Sequence, residues 1–333
     1  MSMEAVFYPN SIAIIGASSD ERKEKTGWVG RLKKFGYQGK LYAVNPKASY
    51  ILGCRAYPNI KDIPEQVDYA IISVKAELVP KALENSLAKG VEVIHIFTAG
   101  FAETGKENGT KLQAKLEEII RKKKGRVIGP NCMGVYCPAS GITFNAIFPK
   151  EPGSVGIISQ SGAALYGLIP QAEKKGIRFS KVVSYGNGID LEGGEILEYL
   201  VDDPETRIIF CYVEGLKDGH RFFEASRNCV RKGKPLIVLK GGMTEGGTKA
   251  VASHTGSLAG SVQVWRAFFR QTGATAVGSF DEAVDQIVAF QHFRRSAGRA
   301  VGIVTRGGGP GVIAADQCEK AGLSVPSFTA ESR

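Results

Sequence analysis

The chain has 333 residues, enough for about two domains of ordinary size, with 43% hydrophobic and 23% charged residues, as in a globular protein. No apolar run is long enough to cross a bilayer, and the start MSMEAVFYPNSIAIIG lacks a basic and apolar secretion signal, so a cytoplasmic protein is expected. The net charge of +10 comes from dispersed residues, so neither nucleic acid nor a membrane is the expected partner.

Only Arg121-Lys122-Lys123-Lys124 forms a basic run, and it closes a helical pattern, where positive charge complements the helix dipole. The six cysteines (Cys54, Cys132, Cys137, Cys211, Cys229, Cys318) form no CxxC pair, which predicts reduced thiols and no metal site. Short apolar runs alternate with amphipathic stretches from the start. Strands are predicted at Ile12–Ile15, Leu41–Val44, Tyr69–Val74, Val91–Phe97 and Arg126–Gly129, with helices near 28–36, 77–88 and 107–123. Near-continuous apolar strands in βαβ alternation predict a parallel sheet with helices on both faces.

The segment GPNCMGVYCPASGITFNAIFPKEPG has little periodicity and reads as an inter-domain crossover. Alternation then restarts. Strands are predicted at Val155–Ser159, Lys181–Ser184, Arg207–Val213 and Pro235–Leu239, and helices near 163–174, 193–201, 220–231 and 261–271. A third start follows at Ala300–Val304, with TRGGGPG and a helix to Ala321. One strand and one helix cannot bury a core of their own, so this unit reads as the opening of a third domain. The predicted division is 1–148, 149–296 and 297–333.

Ligands of open α/β sheets bind beyond the carboxyl ends of the strands, so the loops there are the candidates. Gly16-Ala17-Ser18-Ser19 lets the backbone approach a phosphate, and Lys25-Thr26-Gly27 opens the next helix. Asn45-Pro46-Lys47 offers a lysine where an NAD site would offer a carboxylate to the ribose, which argues against a nicotinamide oxidoreductase. Gly129-Pro130-Asn131-Cys132-Met133-Gly134 would line a cleft between domains. Ser159-Gln160-Ser161-Gly162-Ala163 places free amides and a helix dipole at one point, which is an anion site. It lacks the first glycine of a GxSxG nucleophile elbow, so a serine hydrolase is not expected. Glu214 ends a strand beside Gly215 and points a carboxylate at the cleft. Of the four histidines, His95 lies in an apolar strand and reads as core, while His220 and His292 sit on charged helical patterns. Only His254, in SHTGSLAG, sits in a loop bare enough for close approach.

Together GPNCMG, SQSGA, SYGNGIDLEGGEILEYLVDDPETRIIFCYVEG and SHTGSLAG, in this order, resemble the α subunit of the ADP-forming acyl-CoA synthetases, the group related to succinyl-CoA synthetase. The resemblance covers nearly the whole chain. It implies an α/β protein with a Rossmann-like CoA-binding domain, a flavodoxin-like ligase domain and the start of a third α/β domain. It implies that His254 is phosphorylated, that Glu214 partners it, and that Ser161, Gly162 and Ala163, with Asn131, hold phosphate. For CoA it implies contacts from Gly16, Ala17, Ser18, Lys25, Thr26, Gly27, Asn45, Lys47, Val74, Lys75, Ala99 and Gly100. The implied partner is an ATP-grasp β subunit, in an α2β2 assembly, that carries ADP or ATP and magnesium; the remaining substrate is a small carboxylic acid. Two departures stand out. The family's phosphate loop has a short spacer with proline, where this chain has Asp20-Glu21-Arg22-Lys23-Glu24, and Lys75 replaces a proline. A CoA-binding sensor module without ligase activity is the alternative reading, and the intact His254 loop argues against it.

Imidazole has a reference pKa of ~6.5, so much of it is neutral and nucleophilic near pH 7. A carboxylate on one ring nitrogen fixes the tautomer and turns the other lone pair toward phosphorus. The helix start at Ser161-Gly162 can hold the phosphoryl charge without side-chain cations. Small residues around His254 allow the movement that carrying phosphorus between two sites requires.

Overall fold

The computed structural model describes residues 3–122, 124–248, 251, 261–293 and 298–332. The chain divides into two compact bodies, Met1–Val288 and Ala289–Arg333.

The first body contains two sheets. In the first sheet, β1 (Ser11–Ile15) lies between β2 (Lys40–Val44) and β5 (Tyr69–Ile72), and the order is β3-β4-β2-β1-β5-β6-β7. Here β3 is Tyr50–Ile51, β4 Cys54–Tyr57, β6 Val93–Ile96 and β7 Arg126–Ile128. All pairings are parallel except the β3–β4 hairpin. Every residue of β1 and of β5 is buried, which is why both read as unbroken apolar runs. Burying each such Ile side chain contributes roughly 1.5–3 kcal/mol. The helices are α1 (Glu4–Phe7), α2 (Glu21–Glu24), α3 (Trp28–Phe35), α4 (Val79–Lys89) and α5 (Glu107–Arg121). The expected core role of His95 holds. The side chain is 1% exposed, its Nε2 lies 3.2 Å from the Cys132 carbonyl, and its ring meets the edge of Trp28 at 5.2 Å. Gly134, at φ +78°, is the neighbour this ring requires, because a Cβ there would come within 2.4 Å of it.

The crossover is less irregular than its composition suggests. It contributes β8 (Gly134–Tyr136), which pairs antiparallel with β10 (Phe179–Ser184) at the edge of the second sheet. That sheet has the order β13-β12-β11-β9-β10-β8, with β9 Pro152–Ser159, β11 Ile208–Val213, β12 Leu236–Lys240 and β13 Thr275–Val277. Apart from β8 its pairings are parallel. The helices are α6 (Gly162–Lys174), α7 (Gly193–Asp202), α8 (Gly219–Arg231), α9 (Val262–Thr272) and α10 (Phe280–His292).

Arg126, at the start of β7, ties the two sheets together. Its guanidinium bonds Asp190 at 3.1 Å and Glu195 of α7 at 2.8 Å. Ionic hydrogen bonds to Glu195 and Asp190 raise the Arg126 pKa further, and Arg126 holds the Glu195 carboxyl below its ordinary value.

The body Ala289–Arg333 holds α11 (Gly308–Lys320). The strand expected over 300–304 reduces to a single parallel bridge, Ala300 to Ser324. Val304 is 93% exposed, so the end of the apolar run that suggested a strand lies open. Among the described residues no helix is long and apolar enough to cross a membrane, and no cluster of three or more metal-ligating side chains occurs.

Candidate active site

In the first sheet the chain leaves β1 toward β2 on one side and later returns as β5 on the other, so β1 marks the switch point where ligands of open sheets bind. Gly16 sits at its carboxyl end with φ +94°, and a Cβ there would lie 2.3 Å from the Ser73 carbonyl oxygen. Only glycine lets β1 turn this close to β5. A cavity of about 540 Å³ opens beyond it, lined by the predicted Gly16, Ala17, Ser18, Asn45 and Val74, and also by Lys81. Asn45 shapes this wall, donating from Nδ2 to the Ala17 carbonyl at 2.8 Å and accepting from the Lys47 amide at 2.8 Å.

The other CoA candidates do not line the cavity. Lys25, Thr26, Lys47, Lys75 and Ala99 are exposed. The Gly100 amide is already taken, donating to Glu103 at 2.6 Å. Glu103 in turn accepts from Asn187 at 2.6 Å.

The departing spacer has a specific outcome. Asp20 caps α2 by accepting from the amides of Arg22 and Lys23, and the short helix turns Glu24 inward. Glu24 is only 4% exposed and accepts from the Ser18 amide at 2.7 Å and from the Val29 amide at 2.9 Å. The carboxylate therefore caps α3 from within and also holds the Ser18 amide, expected to meet phosphate. A Cβ at Gly27 would approach it to 2.7 Å, so Gly27 serves this contact.

In the second sheet Ser161 caps α6, accepting from the Ala164 amide at 3.4 Å, and the first-turn amides of Gly162 and Ala163 form the helix head. The crossover loop packs onto this head. The Met133 amide donates to Ser184 Oγ at 3.2 Å, and a Cβ on Gly162 would lie 2.4 Å from Met133 Cγ. Asn131, with φ +58°, donates to Asn187 Oδ1 at 3.4 Å. The GPNCMG and SQSG segments, 25 or more residues apart in sequence, thus meet at the carboxyl end of the sheet.

Glu214, 4% exposed, immediately follows β11 beside them. Its amide donates to Gln160 Oε1, which also accepts from the Gly215 amide at 2.9 Å. Tyr212 Oη donates to the Glu214 carboxylate at 3.0 Å. Burial, then the charge of Glu214, pushes the Tyr212 phenol above its ordinary range, so it stays a donor at neutral pH. Lys240 Nζ donates to the Glu214 carbonyl at 2.9 Å. Sequence reasoning missed Gln160, Tyr212, Lys240 and Glu24. His254 and its loop lie outside the described residues.

A glycine-walled cavity on one doubly wound sheet, and a helix head beside a buried glutamate on the next, give an α/β protein with two candidate ligand sites. The comparisons show its class, the acyl-CoA ligases. Residues 10–138 match the CoA binding domain family, and residues 152–290 match the succinyl-CoA ligase like flavodoxin domain. Acetate–CoA ligase [ADP-forming] II subunit alpha of Pyrococcus furiosus is 41% identical over 326 residues, which cover 98% of this chain and 70% of that one. Acetate–CoA ligase [ADP-forming] I of Archaeoglobus fulgidus is 42% identical over 332 residues; the match covers 99% of this chain but only 47% of that protein. The dinucleotide-forming acetyl-coenzyme A synthetase 1 of Ca. Korarchaeum cryptofilum, solved with phosphate and ADP, superposes with a TM-score of 0.87 at 33% identity, over 98% of this chain and 70% of that one. The chain belongs to the family of ADP-forming acyl-CoA ligase α subunits.

Proposed function

We propose that the chain is the α subunit of an ADP-forming acyl-CoA synthetase, interconverting acyl-CoA, phosphate and ADP with acid, CoA and ATP. We place its domain limits at 1–148, 149–296 and 297–333, and we assign it to the cytoplasm. The Gly16–Ser18 turn, Asn45 and Val74 hold CoA, with Lys25, Thr26, Gly27, Lys47, Lys75, Ala99 and Gly100 at the margins of that site. Inorganic phosphate sits at the head of α6, against the amides of Gly162 and Ala163 and beside Ser161 and Asn131. Its oxygen attacks the thioester carbonyl, the CoA thiolate leaves, and an acyl phosphate forms. The neutral imidazole of His254 then attacks phosphorus, and the acid leaves as its carboxylate. Glu214 bonds the opposite ring nitrogen and stabilises the positive charge that the ring acquires. The phosphohistidine finally passes its phosphoryl group to ADP on an ATP-grasp partner subunit, in an α2β2 assembly in which that partner holds the nucleotide and its magnesium.

One observation carries this reading. Gln160, inside the helix-head motif, accepts from the amides of Glu214 and Gly215. It thereby ties a buried carboxylate to an anion-holding helix terminus. The test is phosphorylation of the full chain by acetyl [32P]phosphate, and by [γ-32P]ATP once the partner is added. Label should enter the wild type and be absent from His254→Ala. Equal labelling of the two would overturn the proposal, and CoA binding without labelling under any phosphoryl donor would favour a sensor module instead.

A further inference from the structure

The site contains a buried cation that the scheme above does not use. Lys240 is the last residue of β12, is 5% exposed, and stands in register with Val213, one residue short of Glu214. Its Nζ bends over the end of the sheet and donates to the carbonyls of Glu214, at 2.9 Å, and Gly241. The indole ring of Trp265 lies 5.5 Å away. Buried Lys181, by contrast, holds Asp203 at 2.9 Å, whereas Lys240 has no carboxylate ion-pair partner among the described residues. A buried ammonium without a carboxylate partner is costly to keep. Here the ammonium is spent on two main-chain carbonyls at the end of the sheet.

The opposite side of the same peptide is held by Gln160, which accepts from the Glu214 and Gly215 amides. Glu214 is therefore gripped at its N–H by Gln160, at its C=O by Lys240 and at its carboxylate by Tyr212. We propose that Lys240 is a positioning residue for phosphoryl transfer, acting through the main chain of Glu214 with Gln160 as the opposing jaw, its charge strengthening the hold on the Glu214 carbonyl. This rests on the phosphohistidine reading. Lys240 itself transfers neither proton nor phosphorus. It fixes where the Glu214 carboxylate points, and hence the ring that the carboxylate orients, and small misplacements of such groups have large effects on rate.

Burial brings the Lys240 ammonium down to about 8, against the opposing pull of Glu214. Among the described residues the titratable group facing it is Glu214, just past β11, and the side chain presented by α9 is Trp265. The phenol of Tyr212 stays protonated through this range. The rate of histidine phosphorylation should thus fall as pH rises past about 8, where Lys240 loses its charge.

The experiment measures the rate and pH profile of 32P transfer from acetyl phosphate to the full chain, for wild type, Lys240→Met, Lys240→Arg and Gln160→Leu. The expected results are a ~10–100-fold lower maximal rate for Lys240→Met and Gln160→Leu, with the Kd for CoA unchanged. Lys240→Met should lose the alkaline limb, and Lys240→Arg should move it beyond the measured range. Wild-type rates and profile in Lys240→Met would overturn the inference while leaving the phosphohistidine intact; no label in wild type would overturn both. If Lys240→Met fails to fold, the wild type and Lys240→Arg decide, because an identical alkaline limb in these two excludes titration of Lys240.

Discussion

Replacing Glu24 separates what holds the CoA loop in shape from what binds there. The carboxylate accepts from the Ser18 and Val29 amides at 2.7 and 2.9 Å and is almost fully buried. Capping the second residue of α3 contributes ~1–2 kcal/mol, and the bond to the Ser18 amide adds ~1 kcal/mol, so Glu24→Ala should destabilise the chain by ~2–3 kcal/mol. The Ser18 amide belongs to the cradle that we assign to CoA. If the carboxylate and a CoA phosphate compete for it, CoA must displace Glu24 on binding. Glu24→Gln, which keeps the size but not the charge and leaves one acceptor in place of two, should therefore bind CoA about tenfold more tightly, a gain of ~1.4 kcal/mol. Isothermal titration with CoA gives the affinity, and urea unfolding of the free protein gives the stability. A variant that is less stable and binds CoA no better than wild type would refute the competition, and Glu24 would then be a structural cap alone.

The alternation of the two domains was legible because parallel strands buried on both faces are written as apolar runs: Ile12–Ile15, Tyr69–Ile72 and Ile208–Val213. Elements that depend on distant partners were not. β8 has three residues, and its pairing with Val182–Ser184 decides its existence, so no local period announces it. Conversely, Ala300–Val304 has a strand's composition but finds only the bridge to Ser324. In the candidate site, Glu214 was singled out because an acidic residue at a strand's carboxyl end beside glycine points into the cleft. Lys240 ends the next strand in the same way, as LIVLK, and the same reasoning would have found it. Gln160 gave no such signal, because its role lies in two amides beyond Tyr212, 54 and 55 residues further on. Glu24 was visible only as part of a departure from the family's spacer, and the fold shows what that departure does.

Three further consequences follow from the packing. Gly16→Ala forces a side chain onto a backbone at φ +94° and to within 2.3 Å of the Ser73 carbonyl, so it should cost at least ~2 kcal/mol and abolish the CoA-induced rise in melting temperature; an unchanged rise would contradict the assigned cradle. Arg126→Gln removes the cation shared by Asp190 and Glu195, leaving Glu195 to Arg221 alone, and should lower stability by ~2 kcal/mol and split calorimetric unfolding into two transitions, one per sheet; a single unshifted transition would show that other contacts couple the sheets. His95 predicts the acid limb of stability. Burial pushes its imidazole from 6.5 to about 4, with the Cys132 carbonyl opposing only in part. The unfolded chain therefore takes up a proton near pH 6.5, and the folded chain does so only near pH 4. The stability from this neutral ring is complete above pH 6.5 and drains away as pH falls toward 4, by ~3 kcal/mol in all. His95→Leu cannot show that loss. It starts lower at pH 7, without the contact to Cys132, and the gap to wild type should then narrow between pH 6.5 and 4 in urea unfolding. Stability curves for the two proteins that run parallel over that interval would mean that the ring is already charged in the fold, against the apolar pocket that Trp28 and Tyr69 build around it.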